Sequence, residues 1–336
     1  MSLTSHLNNP TSPIGQFIKQ RFAQTARLTK IANPGLKSAD TIRPTQADSS
    51  YPYGLIGTAI DYRIRYAFDV TPYQRLVAWQ GALELTTKPR ESDDDTRIDW
   101  ENFPMGVPLP VDASGNPLDM AEGPYQFKLV KAFFDNLDAM LQAFQPVRRR
   151  LEPEAERTLD RYCIILSFFE QVYRSDAYRQ GPLMQPTVKH TVKELLAIPQ
   201  DSWVDDLGVL FAQFYHRHHS LLSRPHILNP TFLGSAYMGG ADADLVVNGC
   251  LIDIKTSTFP QIKAEYLHQL AGYLLLDFDD KLHIDAVGIY MARQGVLFTW
   301  PIPDFLCQLT GDDSISLISL RREFRTLCQN MRKATH

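Results

Sequence analysis

An α/β protein is predicted, with strands gathered in the last third of the chain behind a large, mainly helical region. Three observations carry that prediction. First, Asn248-Gly249 separates two short apolar runs, Leu245-Val-Val and Cys250-Leu-Ile. Asn-Gly is the preferred pair for a two-residue type I′ turn, because both positions need φ > 0. Second, the stretch from Gln261 to Leu276 has no Pro, one Gly and apolar residues at helical spacing. Third, Ala286-Val-Gly-Ile-Tyr-Met-Ala292 and Val296-Leu-Phe-Thr-Trp-Pro-Ile302 flank Arg293-Gln-Gly295, a plausible hairpin turn. At 336 residues, 44% of them hydrophobic and 21% charged, the chain can bury a substantial core and has length for about two domains.

Taken in order, residues 1–50 are rich in Ser, Thr, Asn and Pro and form a polar arm with one short helix. That helix is expected from Ser12-Pro13, a good N-cap and N1 pair, to about Thr25. Residues 51–225 follow as a mainly helical region. Its candidate helices are Ile56–Tyr66, Gly123–Phe144, Pro153–Tyr173, Thr191–Ala197 and Ser202–Leu222, with 84–120 as a long irregular connection richer in Pro, Gly and Asp. Residues 226–336 carry the strands. Thr231-Phe-Leu233 is expected to open the sheet, and Ser314–Lys333 to close the chain as an amphipathic helix with Ile318, Phe324 and Leu327 among its apolar positions. Pro260 stands just before the Gln261–Leu276 helix, where proline is tolerated. On that helix Gln269 and Tyr273 are i, i+4 neighbours and face the same way. By themselves they suit a boundary residue and a core aromatic as well as they suit a site.

The first hairpin is the most informative segment. With a two-residue turn, Val247 faces Cys250, Val246 faces Leu251, Leu245 faces Ile252, Asp244 faces Asp253, and Asp242 faces Lys255. Side chains alternate along a strand, so Asp242, Asp244, Asp253 and Lys255 share one face. Leu245, Val247, Cys250, Ile252 and Ile254 take the other, which is wholly apolar and is expected to be buried. Two carboxylates directly opposite one another destabilise a sheet. A divalent cation reverses the sign of that interaction, and carboxylate oxygens are the hard ligands that Mg²⁺ prefers. Two readings fit: a solvated acidic hairpin with an Asp242–Lys255 surface pair, or a metal site whose lysine stabilises developing negative charge. A longer turn would shift the pairing and exchange the roles of Asp242 and Asp244.

Asp244 followed by Asp253-Ile-Lys255 resembles the PD-(D/E)XK nuclease signature, and Gln269-Leu-Ala-Gly-Tyr273 is similar to the Gln-x-x-x-Tyr motif of its RecB and Cas4 branch. The resemblance implies a restriction-endonuclease-like core, with a mixed central sheet flanked by helices, over about residues 226–305. It implies Mg²⁺ or Mn²⁺ held by Asp244, Asp253 and the carbonyl of Ile254, with Asp242 as a second ligand or as the partner of Lys255. It further implies Lys255 in catalysis and Gln269 and Tyr273 beside the scissile strand. RecB-like families begin with a helical Gly-x-x-hydrophobic-His motif. Gly57-Thr-Ala-Ile-Asp61 is similar but has Asp where His is expected. Under the resemblance Asp61 is a further ligand or orients a metal-bound water; read from the residues alone it is a surface Asp or one paired with Arg65 one turn on. The implied activity is a metal-dependent nuclease, acting on DNA by metal-activated water. The alternative is a nuclease-fold module without catalysis that binds nucleic acid or protein, in a defence or mobile-element complex.

Composition sets the remaining bounds. The net charge of −4 offers no global basic field for nucleic acid, so phosphate contact would need a local patch. Arg148-Arg149-Arg150 is one candidate, though a run of three arginines is more often a solvated helix end. Cys163, Cys250, Cys307 and Cys328 are scattered without CxxC spacing, which argues against a disulfide scaffold or a zinc site. Some Cas4-like relatives hold an iron–sulfur cluster with four cysteines, and the place of Cys250 on the buried face of the hairpin argues against one here. His216, His218 and His219 fall on more than one helical face, a poor geometry for a three-histidine metal site. No stretch approaches the roughly 18 apolar residues of a membrane span, and no signal-peptide core is visible, so a soluble, cytoplasmic protein is expected. Protein partners would dock through the helical region.

Overall fold

The structure, a computed structural model, describes residues 2–48, 50–86, 125–144, 150–175, 181–184 and 191–335. The chain divides into two compact units: residues 1–43 with 212–336, and residues 44–211. No helix among the described residues is long and apolar enough to cross a membrane.

The first unit is α/β. It begins with three helices, α1 (Leu3–Asn8), α2 (Pro13–Arg21) and α3 (Ala26–Lys37). The expected helix after Ser12 is thus one of three, and Ser12 caps it by accepting the Gly15 N–H. The polar composition conceals narrow apolar stripes. Leu3, Leu7, Ile14, Ile18, Phe22, Leu28, Ala32 and Leu36 all enter the core. A five-stranded sheet follows, in the order β1 (His226–Leu228), β2 (Leu245–Val247), β3 (Cys250–Lys255), β4 (Ala286–Met291), β5 (Val296–Pro301). Its pairs are antiparallel except β3 with β4, which are parallel, so the sheet is mixed. A parallel pair needs a crossover, and α10 (Ala264–Leu276) supplies it. Helices α11 (Ile302–Thr310) and α12 (Leu317–Thr335) complete the unit.

One sheet face, with Val246, Leu251, Val287, Ile289 and Met291, packs into the same core as Leu267, Leu270, Leu274, Leu320 and Phe324. On the other face Leu245, Val247 and Ile252 are buried as expected, whereas Cys250 and Ile254 are only partly so. There the Tyr290 ring meets Phe214 at 5.4 Å and His218 at 5.3 Å.

Two expectations for this unit are corrected. Thr231-Phe-Leu233 does not open the sheet: β1 does, and Thr231 makes a single isolated bridge to Asp242. Asn229, at φ 48°, ends β1, and Pro230 has no N–H to continue a ladder. The helix after Pro260 begins later, at Ala264. Ile262 is drawn into the core, and Asn33 holds both its N–H and its carbonyl, so residues 256–263 form a loop.

The second unit is helical among its described residues: α4 (Tyr53–Phe68), α5 (Val77–Glu84), α6 (Phe127–Phe144), α7 (Pro153–Arg174), α8 (Val192–Leu196) and most of α9 (Asp201–His218). The last residues of α9 belong to the sheet-bearing unit. Helix α7 is buried along nearly its whole length, the pattern of a central helix. Gly81 lets α5 touch it, since a Cβ there would lie 1.8 Å from the Phe169 carbonyl oxygen. Thr191 and Glu194 form the capping box that starts α8. The expected start of α6 at Gly123, most of the irregular connection 84–120, and Arg148 and Arg149 lie outside the described residues. Arg150 stands 3.8 Å from Glu156.

Candidate active site

The β2–β3 turn is built as its sequence requires, with Asn248 at φ 49° and Gly249 at φ 77°. The register follows: Val247 pairs with Cys250, Val246 with Leu251, Leu245 with Ile252. The ladder stops there. Asp244 is not a ladder partner of Asp253; its Oδ2 instead accepts the Ile254 N–H at 2.6 Å. The strand bends away at this point, with the Asp244 carbonyl accepting from Asn229 N and Asp242 bridging to Thr231.

Asp253 and Lys255 lie at the end of β3, on the face that packs against α10. Asp253 is 1% exposed, and Lys255 Nζ stands 2.7 Å from its Oδ2. The ion pair of Lys255 is thus with Asp253, where the sequence offered Asp242. Lys255 Nζ also donates to Gln269 Oε1 at 2.8 Å, and Gln269 Nε2 donates to Tyr273 Oη at 2.8 Å. One turn of α10 therefore links Asp253, Lys255, Gln269 and Tyr273 into a single chain of polar contacts. The Tyr273 ring stacks on Phe232 at 5.5 Å, and Lys255 Nζ lies 5.1 Å from the centre of the Tyr266 ring.

Burial pushes the Asp253 carboxyl above its ordinary range, and Lys255 pulls it back only in part. For Lys255 burial acts downward, but Asp253 and Asp244 together outweigh it and hold the ammonium above its ordinary value. Tyr273 is raised well above a free phenol, first by burial and then by Asp253 and Asp244, with a smaller push from Asp242. The upward shifts of Lys255 and Tyr273 keep the ammonium and the phenol protonated at neutral pH.

Asp61 belongs to the helical unit, where its carboxylate meets Arg65 one turn on, the pairing offered by the sequence. His218 is hydrogen-bonded to the Gly295 carbonyl and pulled below its ordinary value by burial, and His219 is bonded to the Tyr215 carbonyl. Among the described residues no three His, Cys, Asp or Glu side chains group so as to hold a metal ion, so Asp242 does not complete a trio with Asp244 and Asp253. The hard donors at the strand end are two carboxylates, Asp244 and Asp253, with the Ile254 carbonyl between acid and lysine. That set suits Mg²⁺ or Mn²⁺, which keep waters and substrate oxygens for their other positions.

Sequence reading missed the support beneath the site. Arg293 and Gln294 are fully buried at the β4–β5 turn and grip the chain just beyond Lys255. Polar residues beside a glycine read as solvent-facing turn chemistry, and nothing local marked them otherwise. No protein-family model matches this chain, and no curated protein or solved structure matches it.

Proposed function

We propose that this protein is a divalent-metal-dependent nuclease with a restriction-endonuclease-like core, hydrolysing phosphodiester bonds, first of all in DNA. The observation that supports this is the continuous Asp253–Lys255–Gln269–Tyr273 chain at the end of β3, with Asp244 anchored on the Ile254 N–H.

Asp244, Asp253 and the Ile254 carbonyl would hold Mg²⁺ or Mn²⁺, which supplies positive charge for the phosphoryl oxygens and acidity for an attacking water. The chain's own groups do the rest. Lys255, kept protonated by two carboxylates, places a cation where negative charge develops. Gln269 orients it, because an amide accepting from the ammonium must turn its NH₂ toward Tyr273. The Tyr273 oxygen accepts that bond, so its proton can be donated to an oxygen of the bound strand. Burial of Asp253 strengthens each of these interactions by excluding water.

The test is cleavage of linear, circular, single- and double-stranded substrates with and without Mg²⁺ or Mn²⁺. Asp253→Ala and Lys255→Ala are each expected to lower the rate by about a hundredfold or more. Undiminished cutting by pure Asp253→Ala overturns the proposal. The alternative, a nuclease-fold binding module without catalysis, is favoured by the net charge of −4. It would show no calorimetric Mg²⁺ or Mn²⁺ site dependent on Asp244 and Asp253.

A further inference from the structure

Where the chain leaves β3, three successive carbonyls are held by the β4–β5 turn. Lys255 O accepts from Ala292 N at 2.8 Å, Thr256 O from Arg293 Nε at 3.1 Å, and Ser257 O from Gln294 Nε2 at 3.3 Å. The far end of the loop is pinned as well. Ile262 donates to Asn33 Oδ1 at 2.7 Å and accepts from Asn33 Nδ2 at 3.2 Å, and its side chain is 1% exposed. Between these anchors stands Phe259, 70% exposed. Its N–H is bonded to Ser257 Oγ and its carbonyl to Gln261 N, so its own backbone is fixed too.

A single exposed apolar side chain on a slack loop carries no meaning. Here both ends and the middle are tied, so the backbone that carries the exposed ring is fixed. The loop begins at Lys255 and runs into the helix that carries Gln269 and Tyr273. Four residues of chain keep Phe259 within about 14 Å of Lys255. Lys263, exposed at the start of α10, adds a cation on the same loop.

We propose that Phe259 is a stacking platform for an unpaired base, with Lys263 meeting the backbone phosphate, so that the strand entering the site is single-stranded there. The proposal rests on the reading of this site as one that engages nucleic acid. Every base offers a π face, so such a platform tolerates any sequence. A lone cation beside it adds salt-dependent attraction to the backbone.

The test uses full-length protein. Anisotropy of a labelled short oligothymidylate, with the Asp253→Asn chain and Mg²⁺ present, reports binding, and a blunt duplex is the comparison. Phe259→Ala is expected to weaken single-strand binding about tenfold and duplex binding by less than about twofold. Phe259→Trp should keep the affinity and show quenched indole emission on binding, a signal that a purely structural role would not produce. Unchanged single-strand affinity in Phe259→Ala overturns the proposal, as does an equal loss on duplex or a response to lipid vesicles alone. Cleavage by the otherwise native chain separates the two readings. Cutting that persists with unaltered KM in Phe259→Ala ends the stacking proposal and leaves the nuclease. Binding that depends on Phe259 without any cutting supports stacking and ends the nuclease. Neither cutting nor binding ends both.

Discussion

In the helical unit Arg63, 3% exposed, lies between two carboxylates, Glu156 and Asp160, with the Phe211 ring 3.5 Å away. In the sheet-bearing unit Asp253, 1% exposed, lies against one ammonium, Lys255. Both units bury charge, but from different sources. The partners of Arg63 come from α7, nearly a hundred residues away, and nearby Tyr62 bonds Glu170 of the same helix at 2.6 Å. These contacts clasp helix to helix. The partners of Lys255 come from its own strand and from the next helix, and they converge at the end of that strand. A clasp resists change by holding distant segments together. The local cluster instead ties a strand end to the next helix: Asp244 accepts the Ile254 N–H, and Lys255 links Asp253 to Gln269.

That contrast can be broken by measurement. Arg63→Ala would leave two carboxylates buried, and a loss of about 3–5 kcal/mol in denaturant unfolding is expected. Asp253→Asn should lose the proposed metal-dependent cleavage with little change in the same unfolding curve. If Asp253→Asn unfolds as readily as Arg63→Ala, both clusters are structural and the distinction fails.

The next effect is in pH. Asp160 is pushed up to about 6 from its ordinary 3.8, chiefly by burial and against the pull of Arg63. A carboxyl raised on folding favours the native state below its unfolded value and loses that contribution as pH rises through the folded value. Wild-type stability relative to Asp160→Asn should therefore fall by up to about 3 kcal/mol between pH 4 and 6 and then level off. A flat difference across that window would show that Arg63 compensates burial fully.

The smallest effect sharpens the hairpin. Gly249→Ala places a Cβ at φ 77° and 2.8 Å from Asp285 Oδ1. A cost of about 1–2 kcal/mol in thermal or denaturant unfolding is expected from the left-handed conformation alone. No loss would mean that α10 and β4, rather than the turn, hold the register.

Much of the site was legible because its geometry is local. Asn248-Gly249 sets the register, side-chain alternation puts Asp253 and Lys255 on one face, and helical periodicity puts Gln269 beside Tyr273. What misled was local too. Pairing was extended past Leu245 to Asp244 with Asp253 and Asp242 with Lys255, whereas Asp244 turns its carboxylate onto the Ile254 N–H where the chain bends toward Asn229. The N-terminal arm was misjudged on composition: stripes such as Leu28, Ala32 and Leu36 gain meaning only against a core that arrives more than two hundred residues later.

By itself, the sequence determined the β2–β3 turn, the strand pair around residues 293–295, the helix between them and the shared face of Asp253 and Lys255. Each follows from backbone conformation or from a period of two or 3.6, which neighbouring residues decide among themselves. Tertiary structure alone decided that Lys255 joins Asp253 to Gln269, that Arg293 and Gln294 clamp the chain beyond it, and that Phe259 stays in solvent. Those outcomes depend on which distant segments fill the space around a side chain, and no local pattern encodes that.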